Sequence, residues 1–139
     1  MSLKAFMAQN VVSTLTEKVV ISERFQGEDK KPVPFEIKAI SEEENEELKK
    51  ACKKRVKQKY GQHTYETDTS LYLAKLVVEC TVMPDFKNAD LQKSWGVLGA
   101  ESLVRKMLLP GEYSDLLSAV QDICGFEKDM GELVEEAKN

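Results

Sequence analysis

The chain has 139 residues, which is close to the usual size of one domain and long enough to bury a core. Hydrophobic residues make up 42% and charged residues 32%, which excludes a disordered chain, and no segment is apolar over the roughly 18 residues that cross a membrane. The net charge of −4 argues against sequence-independent binding to nucleic acid, because such binding needs a basic surface.

The N-terminus lacks an apolar core long enough for a signal peptide, and the cysteines are few and widely spaced. Cys52, Cys80 and Cys124 are odd in number and have no CxxC spacing, which fits neither a disulfide framework nor a zinc site. We therefore expect reduced, buried, structural thiols in a cytosolic protein with no membrane partner.

Residues 1–16 are weakly patterned and are expected to form a mobile arm. Residues 17–40 carry two alternating apolar runs joined by a polar loop at 26–31, which predicts an antiparallel β-hairpin. The apolar positions are Val19, Ile21 and Phe25 in the first run and Val33, Phe35, Ile37 and Ala39 in the second. Pro32 and Pro34 cannot donate to a ladder, so they place the start of the second strand at an edge or beyond the paired region.

Residues 41–126 predict a helical body of about five helices. Ser41 and Glu44 form a capping box, and the helix that they open is expected to continue through the basic residues to position 59. Asp68 is predicted to cap a central, mostly apolar helix that ends before Pro84. Shorter helices are predicted at 89–95 and 100–108, with a longer one from Pro110 to 124.

The predicted fold is thus a single α+β domain over residues 1–139, in which an N-terminal hairpin packs on a mainly helical body. Residues 127–139 are expected to form an acidic helix or tail. We also expect self-association into a homo-oligomer, through the edge of the hairpin or through this tail.

Seven basic residues lie between positions 49 and 59 and would suit nucleic acid if they stood alone. Residues 41–70 contain seven acidic residues as well as these seven basic ones, so a solvated helix end is the favoured interpretation. A small nucleic-acid-associated regulator that uses a basic helix at 49–59 is kept as an alternative. His63 is the only histidine and makes a poor metal or catalytic candidate.

Enzyme signatures are absent from the sequence: it has no GxxxxGK[ST], GxGxxG, HExxH or GxSxG motif. The prediction is therefore a protein that is not an enzyme, with no catalytic residue, no metal and no cofactor.

The most specific part of the sequence is the segment 79–126. It contains ECTVMPDF at 79–86, NADLQKSWGVLGAESL at 88–103, KMLLPGEY at 106–113 and VQDICGF at 120–126. This pattern resembles the XkdN-like family of phage tail assembly chaperones, and with the hairpin and the charged helix the resemblance covers roughly residues 15–126. Cys124, where many relatives have Asn, and Trp95, where Tyr is common, are mild departures.

The resemblance implies a non-enzymatic protein that coats the phage tape measure protein before the tail tube polymerises around it. It also implies recruitment of tail tube subunits, action in the bacterial host cytoplasm and absence from the mature virion. The alternative within the same system is a structural tail or baseplate accessory protein that stays in the virion.

Candidate partner-binding residues lie in two places, the hairpin edge and the glycine-broken segment 95–113. They are Val33, Phe35 and Ile37 on the hairpin, with Trp95 and Tyr113 beside the helix breaks. Large aromatic side chains are frequent binding hot spots. Packing in the core is the competing role for Phe35, Ile37, Trp95 and Tyr113.

Overall fold

The computed structural model describes residues 2–12 and 15–126, and within them it has an α+β fold with five α-helices and two antiparallel sheets. The strands are β1 (Thr16–Val19), β2 (Phe35–Lys38), β3 (Lys53–Lys57), β4 (His63–Thr67) and β5 (Thr81–Met83). The helices are α1 (Glu42–Lys50), α2 (Thr69–Cys80), α3 (Ala89–Ser94), α4 (Ala100–Met107) and α5 (Pro110–Ile123). The acidic tail expected at 127–139 lies outside the described residues.

The N-terminal hairpin is confirmed, with shorter strands than the sequence predicts. β1 pairs antiparallel with β2, and Val19 lies opposite Phe35. The regular ladder stops at this pair because Pro34, which precedes β2, has no N–H to donate. Pairing resumes beyond it, where the Val33 N–H donates to the Phe25 carbonyl at 2.8 Å and Gln26 is bridged to Pro32. β2 is the middle strand of the order β1–β2–β5, so both of its edges are occupied.

α1 begins as predicted but ends earlier. The amide N–H of Glu44 donates to the Ser41 Oγ at 3.2 Å, and the Ser41 N–H donates to the Glu44 carboxylate at 3.2 Å, which completes the capping box. The helix stops at Lys50, and the predicted basic helix at 49–59 is therefore wrong.

Residues 53–67 form a two-stranded ribbon of β3 and β4 instead, which we call the basic ribbon. Val56, Thr64, Tyr65 and Thr67 are β-branched or aromatic and favour strands. At the tip, Tyr60 and Gly61 adopt positive φ angles of 65° and 75°, which turn the chain back on itself.

Asp68 connects the base of the ribbon to the helical body through its backbone N–H and its side-chain carboxylate. The Asp68 N–H donates to the carbonyl of Cys52, which is fully buried, at 2.5 Å. The Asp68 carboxylate accepts from the Leu71 N–H at 3.2 Å and caps α2, as predicted. One residue therefore ends the ribbon and starts the central helix.

Replacing Asp68 by alanine is expected to lower the free energy of unfolding by about 1 kcal/mol, the usual cost of losing an N-cap side chain. Urea unfolding followed by circular dichroism measures the change. Asp115→Ala on the exposed side of α5 is the matched control and should change stability by less than about 0.5 kcal/mol. Equal losses for the two variants would contradict the capping role.

α2 is the central helix, as its apolar pattern predicts. Its buried residues are Ala74, Leu76, Val77, Val78 and Cys80. It ends at Cys80 rather than near residue 83, because Thr81 and Val82 are β-branched and continue as β5 against the free side of β2. The Thr81 hydroxyl donates back to the Val77 carbonyl at 2.6 Å.

The last three helices are confirmed within a residue or two of their predicted ends. Asn88 caps α3 by accepting from the Leu91 N–H at 2.9 Å. Gly96 and Gly125 follow α3 and α5 with positive φ angles of 70° and 88°. The core joins the N-terminal sheet to the helices, and its fully covered side chains include Ile37, Leu76, Phe86, Leu103, Val104, Leu116 and Val120.

All three cysteines are free thiols. Cys52 and Cys80 are buried, Cys124 is half-buried, and the sulfurs of Cys80 and Cys124 lie 3.7 Å apart. Burial raises the pKa of the Cys52 and Cys80 thiols, so both stay protonated at neutral pH. In the part of the chain that the structure describes, no helix is long and apolar enough to cross a membrane.

Candidate functional site

The structure separates the five predicted partner-binding residues. Phe35 and Ile37 are 2% and 0% exposed and lie in the core, where Phe25 packs on Phe35 with ring centroids 5.8 Å apart. Both side chains are almost fully covered in this fold. Val33 is 43% exposed, while Trp95 and Tyr113 are half-buried against the core. A binding role for any of the five stays a prediction.

Tyr113 lies on the wall of a groove of about 390 Å³ between α2, α4 and the start of α5. We call this the Tyr113 groove. It is lined by Ser70, Leu73, Val104, Arg105, Leu108, Pro110 and Tyr113. Val104 and Leu108 form its buried floor, Leu73 and Tyr113 are half-buried walls, and Arg105 is exposed at the rim.

The chemistry of the Tyr113 groove is that of an apolar binding surface with few polar groups. Burial raises the pKa of the Tyr113 phenol, so it stays neutral and can donate a hydrogen bond at neutral pH. Arg105 supplies a permanent positive charge beside it. An amphipathic helix fits such a surface, with its apolar residues on the floor and an acidic residue at the rim.

Val33 belongs to a different and smaller depression. This depression, of about 130 Å³, is lined by Phe25, Val33, Pro34, Phe35, Met83, Pro84 and Met107. Two of these side chains are exposed, Met83 at 54% and Val33 at 43%. The two surfaces are small, and the Tyr113 groove is the larger of the two.

An ion pair between the exposed Arg24 and the largely covered Glu112 holds the N-terminus of α5, and with it Tyr113, against the N-terminal segment. Arg24 Nε donates to Glu112 Oε2 at 2.9 Å, Arg24 Nη2 donates to Glu112 Oε1, and the same Nη2 donates to the Met107 carbonyl at 3.0 Å. The Leu109 N–H donates to Glu112 Oε1 at 2.9 Å. These bonds, with that from Arg24 the strongest, lower the pKa of Glu112 to about 2 although burial opposes the shift.

A second ion pair joins the helices that form the other walls of the groove. Lys75 on α2 lies 2.9 Å from Glu101 on α4, and both side chains are more than two-thirds covered. The hydrogen bond from Lys75 lowers the pKa of Glu101, and the same bond raises the pKa of Lys75. Both groups are therefore charged at neutral pH, and the pair fixes α2 against α4.

Sequence reasoning missed these two ion pairs. Arg24 and Glu112 are 88 positions apart, and Arg24 lies in a stretch predicted to be strand. The only local signal was the PGEY motif, which marks the start of α5 without naming a partner for Glu112.

The described residues contain no group of three or more His, Cys, Asp or Glu side chains that could hold a metal ion. What the geometry offers is an apolar groove whose walls are fixed by ion pairs.

Comparison with known proteins gives a family match over almost the whole chain. Residues 3–138 match the model of the phage XkdN-like tail assembly chaperone family. The chain is 31% identical to the phage-like element PBSX protein XkdN of Bacillus subtilis strain 168, and 32% identical to the uncharacterized protein YqbN of the same strain. Each match spans 99% of this chain and 93% of the relative.

The fold also matches a crystal structure. The solved structure of the protein YqbN superposes with a TM-score of 0.78 at 28% identity, covering 91% of this chain and 98% of that one. With the family match over almost the whole sequence, the chain belongs to the phage XkdN-like tail assembly chaperones.

Proposed function

We propose that this tail assembly chaperone binds the tape measure protein through the Tyr113 groove and helps to recruit tail tube subunits. The observation that carries the proposal is the apolar groove between the half-buried walls of Leu73 and Tyr113, which lies over the buried side chains of Val104 and Leu108. A tape measure protein is a long chain of amphipathic helices that needs cover until the tube forms around it.

The size of the groove supports weak, repeated binding. A volume of about 390 Å³ accommodates a few side chains of one helix rather than a long segment. Many copies along the tape measure protein would each contribute a small binding energy and could be displaced one by one as the tube grows. Family membership favours a protein partner, and it favours a chaperone over an enzyme.

Co-expression with the tape measure protein of the same phage tests the proposal. The tape measure protein is expected to stay soluble and to be retained with this chain on an affinity column. The same tape measure protein, expressed alone, is expected to be insoluble. A tape measure protein that precipitates equally in both cases, or that is not retained, would overturn the proposed role.

The proposal places the protein in the host cytoplasm during assembly and outside the finished particle. The competing function is a structural tail or baseplate accessory protein. Mass spectrometry of purified virions separates the two, because a chaperone is expected at trace levels and a structural subunit in many copies per particle. An abundant chain in the particle would favour the structural function.

The proposed complex includes more than one copy of this chain. Self-association was expected from the sequence at the hairpin edge or the acidic tail. In the described sheet only β1 of the hairpin keeps a free edge, and it is four residues long.

A further inference from the structure

The basic ribbon has two chemically different faces. The register places Lys53 opposite Thr67, Arg55 opposite Tyr65 and Lys57 opposite His63, so these six side chains share one face. We call this the cationic face. Lys54, Val56, Thr64 and Glu66 share the other. The cationic face therefore has three cations, a tyrosine and no carboxylate.

The cationic face has no partner within the described chain. Nine of the ten strand residues are exposed, with Val56 half-buried, and Tyr65 is 68% exposed. None of the ion pairs formed among the described residues includes a ribbon side chain. A two-stranded ribbon is marginally stable in water, so a projecting one is best explained by a surface that it contacts.

A complementary surface lies on the helical body, beside α1. It is a groove of about 270 Å³, lined by Ile40, Glu44, Glu47, Leu48 and Glu79. We call it the acidic groove. The lining combines three carboxylates with two aliphatic side chains. The carboxylates suit the charged ends of lysine and arginine, and the aliphatic side chains suit their apolar stems. Glu79 is bound by Lys87 at 2.6 Å, and this exposed pair can open at little cost.

The charge distribution of the whole chain favours a second copy as the occupant. The ribbon, residues 53–67, carries five basic residues and one acidic residue. Because the entire chain carries −4, everything outside the ribbon carries −8. The net charge of −4 is therefore the sum of a positive basic ribbon and a negative remainder of the chain. Two copies attract each other electrostatically only when the ribbon of one meets the negative remainder of the other.

We infer that the cationic face of one copy docks in the acidic groove of a second copy. Arg55 and Lys57 place their charged ends on the glutamates, and their stems cover Ile40 and Leu48. Since the two surfaces differ, the contact is heterologous and repeats from copy to copy as a row or a ring. This contact deepens the proposed chaperone role, because a row of copies covers a long partner, but it is testable without the tape measure protein.

Two charge-reversed variants of the full chain test the contact. The first, K53E/R55E/K57E, reverses the cationic face. The second, E47K/E79K, reverses two carboxylates of the acidic groove. Lys54→Glu, on the opposite face of the same ribbon, is the matched control. Circular dichroism establishes that each variant is folded, and sedimentation velocity measures association at micromolar concentrations.

The wild-type chain and the Lys54→Glu control are expected to self-associate, and raising the salt from about 50 mM to about 500 mM should dissociate them. Each reversed variant alone is expected to associate at least about tenfold more weakly. An equal mixture of the two should recover association, because each then meets an opposite charge on the other.

Three results would overturn the inference. The first is a wild-type chain that stays monomeric under these conditions. The second is a K53E/R55E/K57E variant that associates like the wild type. The third is a mixture of the two reversed variants that remains monomeric.

The second result has one specific interpretation, which RNA binding tests. If the wild type binds a single-stranded RNA homopolymer tightly and in a salt-sensitive way, and K53E/R55E/K57E loses this binding while it still self-associates, the ribbon is assigned to nucleic acid instead. None of these results bears on capture of the tape measure protein, so failure here is distinct from failure of the proposed function.

Discussion

Replacing Phe35 by alanine is expected to reduce the free energy of unfolding by about 3–5 kcal/mol, as is usual for a fully buried phenylalanine. Phe35 is 2% exposed and lies on the central strand β2, with Phe25 packed on its ring. The truncation removes buried apolar surface and leaves a cavity between the N-terminal sheet and the helices. Urea unfolding followed by circular dichroism measures the loss.

Val33→Ala is the matched control, because Val33 lies two positions earlier in the same apolar run but is 43% exposed. It should cost less than about 1 kcal/mol, since little of the removed surface was buried. A Phe35→Ala chain that is as stable as the wild type would show that the hairpin is not part of the core. If that stable Phe35→Ala chain also failed to capture the tape measure protein, Phe35 would be an interface residue.

Replacing Glu112 by glutamine is expected to cost about 1–2 kcal/mol at neutral pH, because this carboxylate accepts several hydrogen bonds but water screens its pair with the exposed Arg24. The substitution keeps the size of the side chain and removes its charge. Arg24 then loses its charged partner, and the glutamine keeps only one acceptor oxygen for Arg24 and the Leu109 N–H.

The effect of Glu112→Gln should depend on pH in a defined direction. The folded state lowers the pKa of Glu112 from 4.5 to about 2, so folding favours the ionised form. The stabilisation is fully present above about pH 4.5 and is lost as the pH falls toward 2. The stability difference between the wild type and Glu112→Gln should therefore shrink across this interval.

Urea titrations of both proteins at several pH values from neutral to about 2.5 measure this difference. Glu17→Gln, on the exposed strand β1, is the control and should follow the wild-type pH profile. A stability difference that stays constant down to the lowest pH would contradict the ion pair, and so would a Glu112→Gln chain as stable as the wild type at neutral pH.

The helices could be predicted from the sequence because their signals are local. Ser41, Asp68 and Asn88 each cap the helix that was expected to follow, and Gly96 and Gly125 follow helices as expected. Such caps act over three or four residues, so no knowledge of the rest of the fold is needed to find them.

The basic ribbon and strand β5 could not be predicted in the same way. Lysine and arginine are good helix formers and suit a helix C-terminus, so residues 53–57 gave a helical prediction. Their strand exists because β4 pairs with them, and β5 exists because β2 has a free side. Pairing between strands depends on the fold and overrides local preference.

The candidate site was predicted only in part. Tyr113 was singled out, but Leu73 and Arg105, which share its groove, come from helices that the sequence could not place next to α5. The alternation that includes Phe35 and Ile37 correctly marked an apolar face. It could not show whether that face meets the core or a partner, because both remove apolar surface from water.

The most direct test of the account compares capture of the tape measure protein by variants of the Tyr113 groove. Tyr113→Ala and Leu73→Asp alter the walls of the groove, while Tyr60→Ala removes a tyrosine that is 98% exposed on the ribbon. Circular dichroism shows that each variant is folded before the co-expression assay. We predict that both groove variants retain at least about tenfold less tape measure protein than the wild type, and that Tyr60→Ala retains as much. Folded groove variants that capture the tape measure protein as well as the wild type does would contradict the account.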